Sequence, residues 1–341
     1  MYAKRQGKKR SEMKKFLQNK AKILMVCLFV ILTCTACSNP RGSDGKTRLD
    51  QIIAIEETQV EKGKVSLEGH KKEKEYKKLK DSDLITIEKT DFKDALDNGW
   101  FEGIIVWPIA QLLNLISSKT DAGIGIICTT ILIQLLLFVF TRKSQMSTQR
   151  MQAIQPEIAR IQNKYADKTD EASKMKMYQE TQDLYTKYDI HPFGSMLVTF
   201  LQFPVMIGMY YATMRAISVV NGSFLGLDLS GTVMYGFKNL QIGYIIIYVL
   251  MIVFQFVSMK LPVWIKKYED KQNHVKVKKY AEPEKKAQDP TQMTMYMSII
   301  MIAVLYISWP IAMSFYWMIS SLYRICQSVV LNIVMKKGDK K

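Results

Sequence analysis

The chain has 341 residues, 48% of them hydrophobic, and a formal net charge of +17. Those figures coexist only where greasy runs alternate with basic ones, which excludes an ordinary soluble domain and points to a membrane protein. The three histidines, His70, His191 and His274, stand in no metal-ligand or catalytic-triad spacing, so neither an enzyme nor a cofactor or metal site is expected.

Residues 1–22 carry nine lysines and arginines against one acid, and 23–36 form a 14-residue apolar run. That run is short for a bilayer crossing and has the anatomy of a signal peptide, 1–36. It ends at Cys37 after Thr35 and Ala36, with Ser38 following. This resembles a bacterial lipoprotein cleavage site whose cysteine is acylated, although Cys34 stands where such sites usually have leucine. The CxxC of Cys34 and Cys37 lies in an export signal rather than beside a βαβ pattern, so no redox role is read into it. Cys27 would leave with the signal, and Cys128 and Cys326 fall in apolar runs, so no disulfide framework is implied.

Residues 37–99 read as a lipid-anchored extracytoplasmic tether. A Gly/Ser/Pro opening leads into a Lys/Glu-rich stretch, 61–83, expected as a solvated tether or a charged surface helix. It offers one tyrosine for stacking, so nucleic-acid recognition is not expected. Residues 100–118 contain Glu102 and Pro108 with tryptophans at one end and predict an amphipathic helix in the outer interface.

Five apolar runs follow, at 122–141, 193–215, 242–260, 293–309 and 311–335, each about one bilayer crossing long. The predicted fold is an all-α polytopic membrane protein, a five-span core bundle with a cytoplasmic helical hairpin. The loop 142–191 has nine lysines and arginines, 261–290 has eight and the tail after Met335 four, whereas 216–241 has only Lys238. The positive-inside bias puts the basic loops and the tail 336–341 in the cytoplasm of a bacterial plasma membrane, with the tether outside. Within 142–191, Met151, Ile154, Ile158, Ile161 and Tyr165 repeat at three and four, as do Met177, Thr181, Leu184 and Tyr188. Asp167 to Asp170 would turn the chain between two antiparallel amphipathic helices, and His191-Pro192 would end the second.

Polar residues inside the spans share one depth. Gln134, Gln202, Gln255, Gln327 and Arg324 fall roughly 8 to 17 Å from the cytoplasmic side at 1.5 Å per residue. An arginine at bilayer depth costs between about 3 and over 10 kcal/mol, so Arg324 should face water, protein or a partner. Trp317, Arg324 and Ser328 lie seven and four apart, with Ser320, Ser321 and Gln327 flanking, which makes one polar stripe on a greasy helix. Together these residues imply a wet cavity open to the cytoplasm and closed outward. Methionines crowd the spans (Met206, Met209, Met214, Met251, Met293, Met295, Met297, Met301, Met313, Met318) and would give soft walls suited to varied helices, or simply pack a core.

Three stretches, MQAIQPEIARIQNKY at 151–165, HPFGSMLVTFLQFPVMIGMYYAT at 191–213 and WPIAMSFYWMISSLYRICQ at 309–327, resemble the YidC-type membrane protein insertases of the Oxa superfamily. The similarity is to the Gram-positive lipoprotein form with five core spans, and it covers about 100–337. The resemblance implies insertion and folding of nascent membrane proteins through a cytoplasm-open groove, alone or beside the Sec translocon, with the bilayer and weakly the ribosome as further partners. Groove roles carry over to Gln202 and Trp317, and to Gln255. Three departures stand out: the family's groove arginine aligns with Gln134, its usual asparagine with His191, and its proline in the fourth core span is absent. Arg324, at similar depth on the Trp317 face, would supply the charge from another wall. A small-solute transporter or channel is the rival reading. Against it, no inverted repeat and no Gly/Pro-broken helix pair is visible.

Overall fold

The computed structural model describes residues 40–168, 170–190, 192–273 and 290–338. Cys37, His191 and His274 lie outside the described residues, as does the signal sequence.

The segment expected to be a solvated tether folds. Short strands β1 (Thr47–Arg48), β2 (Thr58–Glu61), β3 (Val65–Ser66) and β4 (Leu84–Ile87) pair as β1 with β3, parallel, and β2 with β4, antiparallel, Thr58 opposite Ile87. Two short helices belong to this unit, α1 (Glu73–Tyr76) between β3 and β4 and α2 (Phe92–Asp97) after β4. Leu49, Ile52, Val60, Val65, Leu67, Ile85 and Ile87 form its small core together with Ile217 and Val220 from the bundle. High charge density hid this unit, because Val60, Ile85 and Ile87 point inward on strands whose outer positions are Gln59, Glu61, Leu84 and Thr86, while lysines and glutamates crowd the connections between them. Backbone bonds fasten it to the bundle: Ile53 N–H donates to Arg215 O at 2.7 Å and Ile217 N–H to Ile53 O at 3.1 Å.

A π-helical turn over Glu102–Val106 leads into α3 (Trp107–Ser117), which buries Ala110, Leu113, Asn114 and Ser117. Their three- and four-residue spacing gives one stripe, and it packs on α4 (Ala122–Ala153) and α7 (Pro192–Arg215). Asn114 ties this helix to its neighbours, donating to Ile53 O at 2.8 Å and accepting from Ser218 N–H at 3.1 Å. Glu102 pairs with Arg215 at 2.5 Å, and Arg215 Nε donates to Gln51 O at 2.6 Å. Both charges of the pair are nearly buried, 14% and 5% exposed.

Asp121 caps α4, its Oδ1 accepting from Ile124 N–H at 2.8 Å. This helix does not stop at 141: it runs unbroken to Ala153, where Pro156 in the first turn of α5 (Gln155–Lys164) forces a new start. Asp170 caps α6 (Glu171–Lys187) by accepting from Ser173 N–H at 2.8 Å. The two helices run antiparallel, since Tyr188 O–H donates to Glu157 and both Lys164 and Tyr165 donate to Glu180. Ile154, Ile158 and Ile190 are buried at the root of this hairpin, with Met151, Leu184, Tyr185 and Tyr188 against them.

Beyond α7 come the one-turn helix α8 (Ile217–Val220), the small β5–β6 hairpin (Ser223–Phe224 with Leu227–Asp228) and α9 (Val233–Lys238). The chain then enters α10 (Ile242–Gln272), α11 (Pro290–Ile307) and α12 (Ile311–Gly338). Among the described residues, α4, α10 and α12 are long and apolar enough to cross a membrane, while α7 and α11 span 24 and 18 residues. Leu136, Val139 and Phe140 of α4, Val253 of α10, Met301 and Val304 of α11 and Val330 of α12 point outward, the surface a lipid-facing bundle presents. The methionines divide: Met209, Met251 and Met313 are wholly buried, whereas Met297 and Met301 are exposed.

Candidate functional site

Helices α10 and α12 share the most extensive seam in the protein, and polar side chains meet in it. Gln255 projects from α10; Trp317, Ser321 and Arg324 come from α12 at spacings of four and three, hence from one face. The Oε1 atom of Gln255 accepts from all three: Trp317 Nε1–H at 3.0 Å, Ser321 O–H at 2.9 Å and Arg324 Nη2 at 2.8 Å. Arg324 also donates to Ser321 Oγ at 2.8 Å, and its guanidinium carbon lies 5.4 Å from the Trp317 ring centroid. That stacking and the two acceptors fix the planar fork in one orientation. Among the described residues no carboxylate pairs with Arg324, so its charge is held in place without being neutralised.

Arg324 opens onto a cavity of about 420 Å³ walled by four helices. Gln202, Phe203 and Met206 come from α7, and Gln255, Ser258, Met259 and Pro262 from α10. Trp317, Arg324, Gln327, Ser328 and Leu331 come from α12, and Gln145, Thr148, Gln149 and Gln152 from the continuation of α4. The Nε2 atoms of Gln202 and Gln327 are buried without a protein partner among the described residues. A lining of amides, hydroxyls and one cation, interrupted by Phe203, Met206 and Leu331, can solvate a polar segment while offering an adjoining apolar one a surface.

Five of the six bundle residues singled out from the sequence, Gln202, Gln255, Trp317, Arg324 and Gln327, therefore share one cavity. Gln134 does not join them. It is buried elsewhere on α4, its Nε2 without a partner among the described residues and its backbone carbonyl accepting from Tyr323 O–H at 3.5 Å. Sequence reasoning also missed Gln145, Gln149 and Gln152, having ended the first span at 141. Their spacing of four and three was the signal, and Gln149 Nε2 donates to Ser328 O at 2.7 Å.

Long apolar helices around a charged, amide-lined cavity define a multi-pass helical membrane protein. Residues 114–339 match the model of the family described as 60Kd inner membrane protein, about two thirds of the chain, and the chain belongs to that family. It is 31% identical over 236 residues to the membrane protein insertase MisCA of Bacillus subtilis, covering 68% of this chain and 79% of that one. Membrane protein insertase YidC 2 of Bacillus anthracis is 28% identical over 245 residues, 71% of this chain and 85% of the relative. Membrane protein insertase YidC of Oceanobacillus iheyensis is 29% identical over 237 residues, 69% and 84%.

Proposed function

We propose that this protein is a membrane protein insertase whose groove is the cavity around Arg324. The observation that carries the reading is the guanidinium of Arg324, oriented by Gln255 and Ser321 and without a carboxylate partner among the described residues, in a polar cavity among apolar helices. Relatives that match over most of their length are named insertases, which favours this over a solute transporter or channel.

In this reading a short acidic or polar segment of a nascent membrane protein enters from the cytoplasm. Arg324 draws it in, and Gln202, Gln255 and Gln327 solvate it. The adjoining apolar helix slides along Met206, Phe203 and Leu331 into lipid. The groove shortens the apolar path the polar segment must cross, so no covalent chemistry is needed. A membrane potential of about 100 mV contributes about 2.3 kcal/mol per charge moved.

The arrangement that goes with this function is a core of five spans, α4, α7, α10, α11 and α12, with the α5–α6 hairpin and the basic tail in the cytoplasm and residues 40–99 outside. Cleavage before Cys37 with acylation of its thiol would anchor the amino end in the outer leaflet. The Sec translocon is a further partner by resemblance, and the ribosome a weak one. Arg324 takes over from α12 the charge that Gln134 does not provide.

The test is protease protection of a small single-span substrate in vesicles containing wild type, Arg324→Gln, or Arg324→Gln with Gln134→Arg, each checked for folding. Loss of insertion in the single variant supports the charged groove. Restoration by the double variant would show that a charge on α4 can substitute. Equal insertion in all three would make Arg324 structural.

A further inference from the structure

We propose that a second pocket, at the root of the α5–α6 hairpin, binds the phosphate headgroup of an anionic phospholipid from the cytoplasmic leaflet. The proposal rests on the cytoplasmic placement given above for the hairpin. The pocket measures about 460 Å³, and its charged lining is Arg150, Lys187, Lys266 and Lys336 against Asp189 and Glu269. Both carboxylates are already engaged, Asp189 by Arg150 at 3.1 Å and Glu269 by Lys336 at 2.9 Å. What remains is a pair of lysines. Lys187 of α6 sits 5.2 Å and Lys266 of α10 5.1 Å from the centroid of one ring, that of Tyr188. The two ammoniums therefore lie within about 10 Å of each other and both line the pocket, apart from the carboxylates that Arg150 and Lys336 hold. Lys266 has Asp270 at 3.4 Å, one turn along its own helix and outside the pocket lining; burial works against its charge, but Tyr188, Asp270 and Glu157 outweigh it and keep the ammonium protonated above the ordinary lysine range.

Position selects a lipid over a soluble anion or an acidic peptide. The outward apolar surface of α10 persists to Trp264, 45% exposed, and that of α12 to Val334, 40% exposed. Lys266 and Lys336 stand about 3 Å further along the two axes, and Lys336 shares a face with Ile333, three residues before it and 50% exposed. A pocket one step beyond a lipid-facing surface is where a headgroup sits when its acyl chains lie on that surface. Gln149 and Pro262 line both this pocket and the groove, so a lipid held here stands at the mouth of the groove.

The experiment uses the full chain, without substrate, in nanodiscs of phosphatidylcholine with a minor share of phosphatidylglycerol. Lipids retained by the released protein are counted by native mass spectrometry. Wild type, and a control Lys93→Gln, should retain phosphatidylglycerol enriched several-fold over its share, and Lys187→Gln with Lys266→Gln should lose the enrichment. The Lys187→Arg with Lys266→Arg variant should keep it, which assigns the loss to charge, and a circular-dichroism melt of the glutamine variant matching wild type excludes misfolding as the cause. Equal enrichment in the glutamine variant overturns the proposal. So does inorganic phosphate that binds alone and abolishes the enrichment, which assigns the site to free phosphate. An acidic peptide bound in a Lys187-dependent way, with no lipid enrichment in wild type, overturns it in favour of a substrate site. Retention is read without insertion, so failure of the insertase reading would show separately, in the protease-protection assay.

Discussion

Gln255 on α10 and Arg324 on α12 are joined by a 2.8 Å hydrogen bond in which the amide oxygen, not a carboxylate, is the acceptor. An amide orients a guanidinium without cancelling its charge. In a low-dielectric seam that distinction decides whether the cavity attracts acidic groups or is indifferent to them.

Replacing that amide tests the point directly. Gln255→Glu keeps the acceptor and converts the contact into an ion pair, so the unfolding temperature should hold or rise while insertion falls by about tenfold or more, the equivalent of about 1.4 kcal/mol. Gln255→Ala leaves the Trp317, Ser321 and Arg324 donors without their shared acceptor and should cost about 1–3 kcal/mol of stability. Thermal unfolding and protease protection, measured on the same preparations, separate the two. Wild-type insertion by Gln255→Glu would remove free charge from the mechanism.

The hairpin should loosen in acid. Hydrogen bonds from Lys164 and then Tyr165 hold the Glu180 carboxyl below the usual carboxylate range. A depressed folded-state value means the contribution is present above the ordinary carboxylate range and is lost as pH falls below that range and through the folded-state value. Glu180 is partly exposed, its side chain 37% accessible, so the effect is small and local. Hydrogen exchange across Glu171–Lys187, corrected for the intrinsic pH dependence, should accelerate on acidification in wild type and lose that acceleration in Glu180→Gln.

What the sequence disclosed and what it hid follow from the same physics. Apolar runs and charged loops are large, repeated signals, so the helical membrane character was plain, and Trp317, Arg324 and Gln327 announced one face by spacing alone. Gln202 and Gln255 stood at a depth shared with that face, and they line its cavity. Gln134 stood at that depth too and does not, because depth along a helix says nothing about its rotation toward a neighbour. The apolar run ends at 141 because hydropathy falls at Arg142, yet the helix continues because nothing there breaks it; only Pro156 does. The folded unit between Thr47 and Asp97 was overlooked because its strands run two to four residues among lysines, and its core is completed by Ile217 and Val220 from a distant part of the chain.

The Glu102–Arg215 pair should behave as a buried ion pair. It fixes the end of α7 to the turn before α3, and Arg215 also holds Gln51 O, so three segments depend on it. Removing one partner strands the other charge. Glu102→Gln or Arg215→Gln alone should cost about 3–5 kcal/mol, and the double variant should be less damaging than the two losses added together. Denaturant titration in detergent through the full cycle measures the coupling, and strictly additive losses would show the pair to be a passive contact.

The approach of α3 to α4 rests on one missing methyl. A Cβ built at Gly125 would meet Ser117 Oγ at 1.9 Å, the Ser117 Cβ at 3.2 Å and the Leu113 carbonyl at 3.3 Å. The hydroxyl is the severe clash, and it has no hydrogen-bond partner among the described residues. Gly125→Ala should therefore cost about 1–3 kcal/mol by overpacking. Ser117→Ala alone should be nearly neutral, since it removes an unsatisfied buried group. Combining them should recover most of the loss, leaving only contacts that a shift of a few tenths of an ångström can absorb. Because neither residue lines the groove cavity, insertion per folded molecule should be unchanged across all three variants. A double variant as unstable as Gly125→Ala would mean that the Leu113 backbone, not the serine hydroxyl, sets the distance between the two helices.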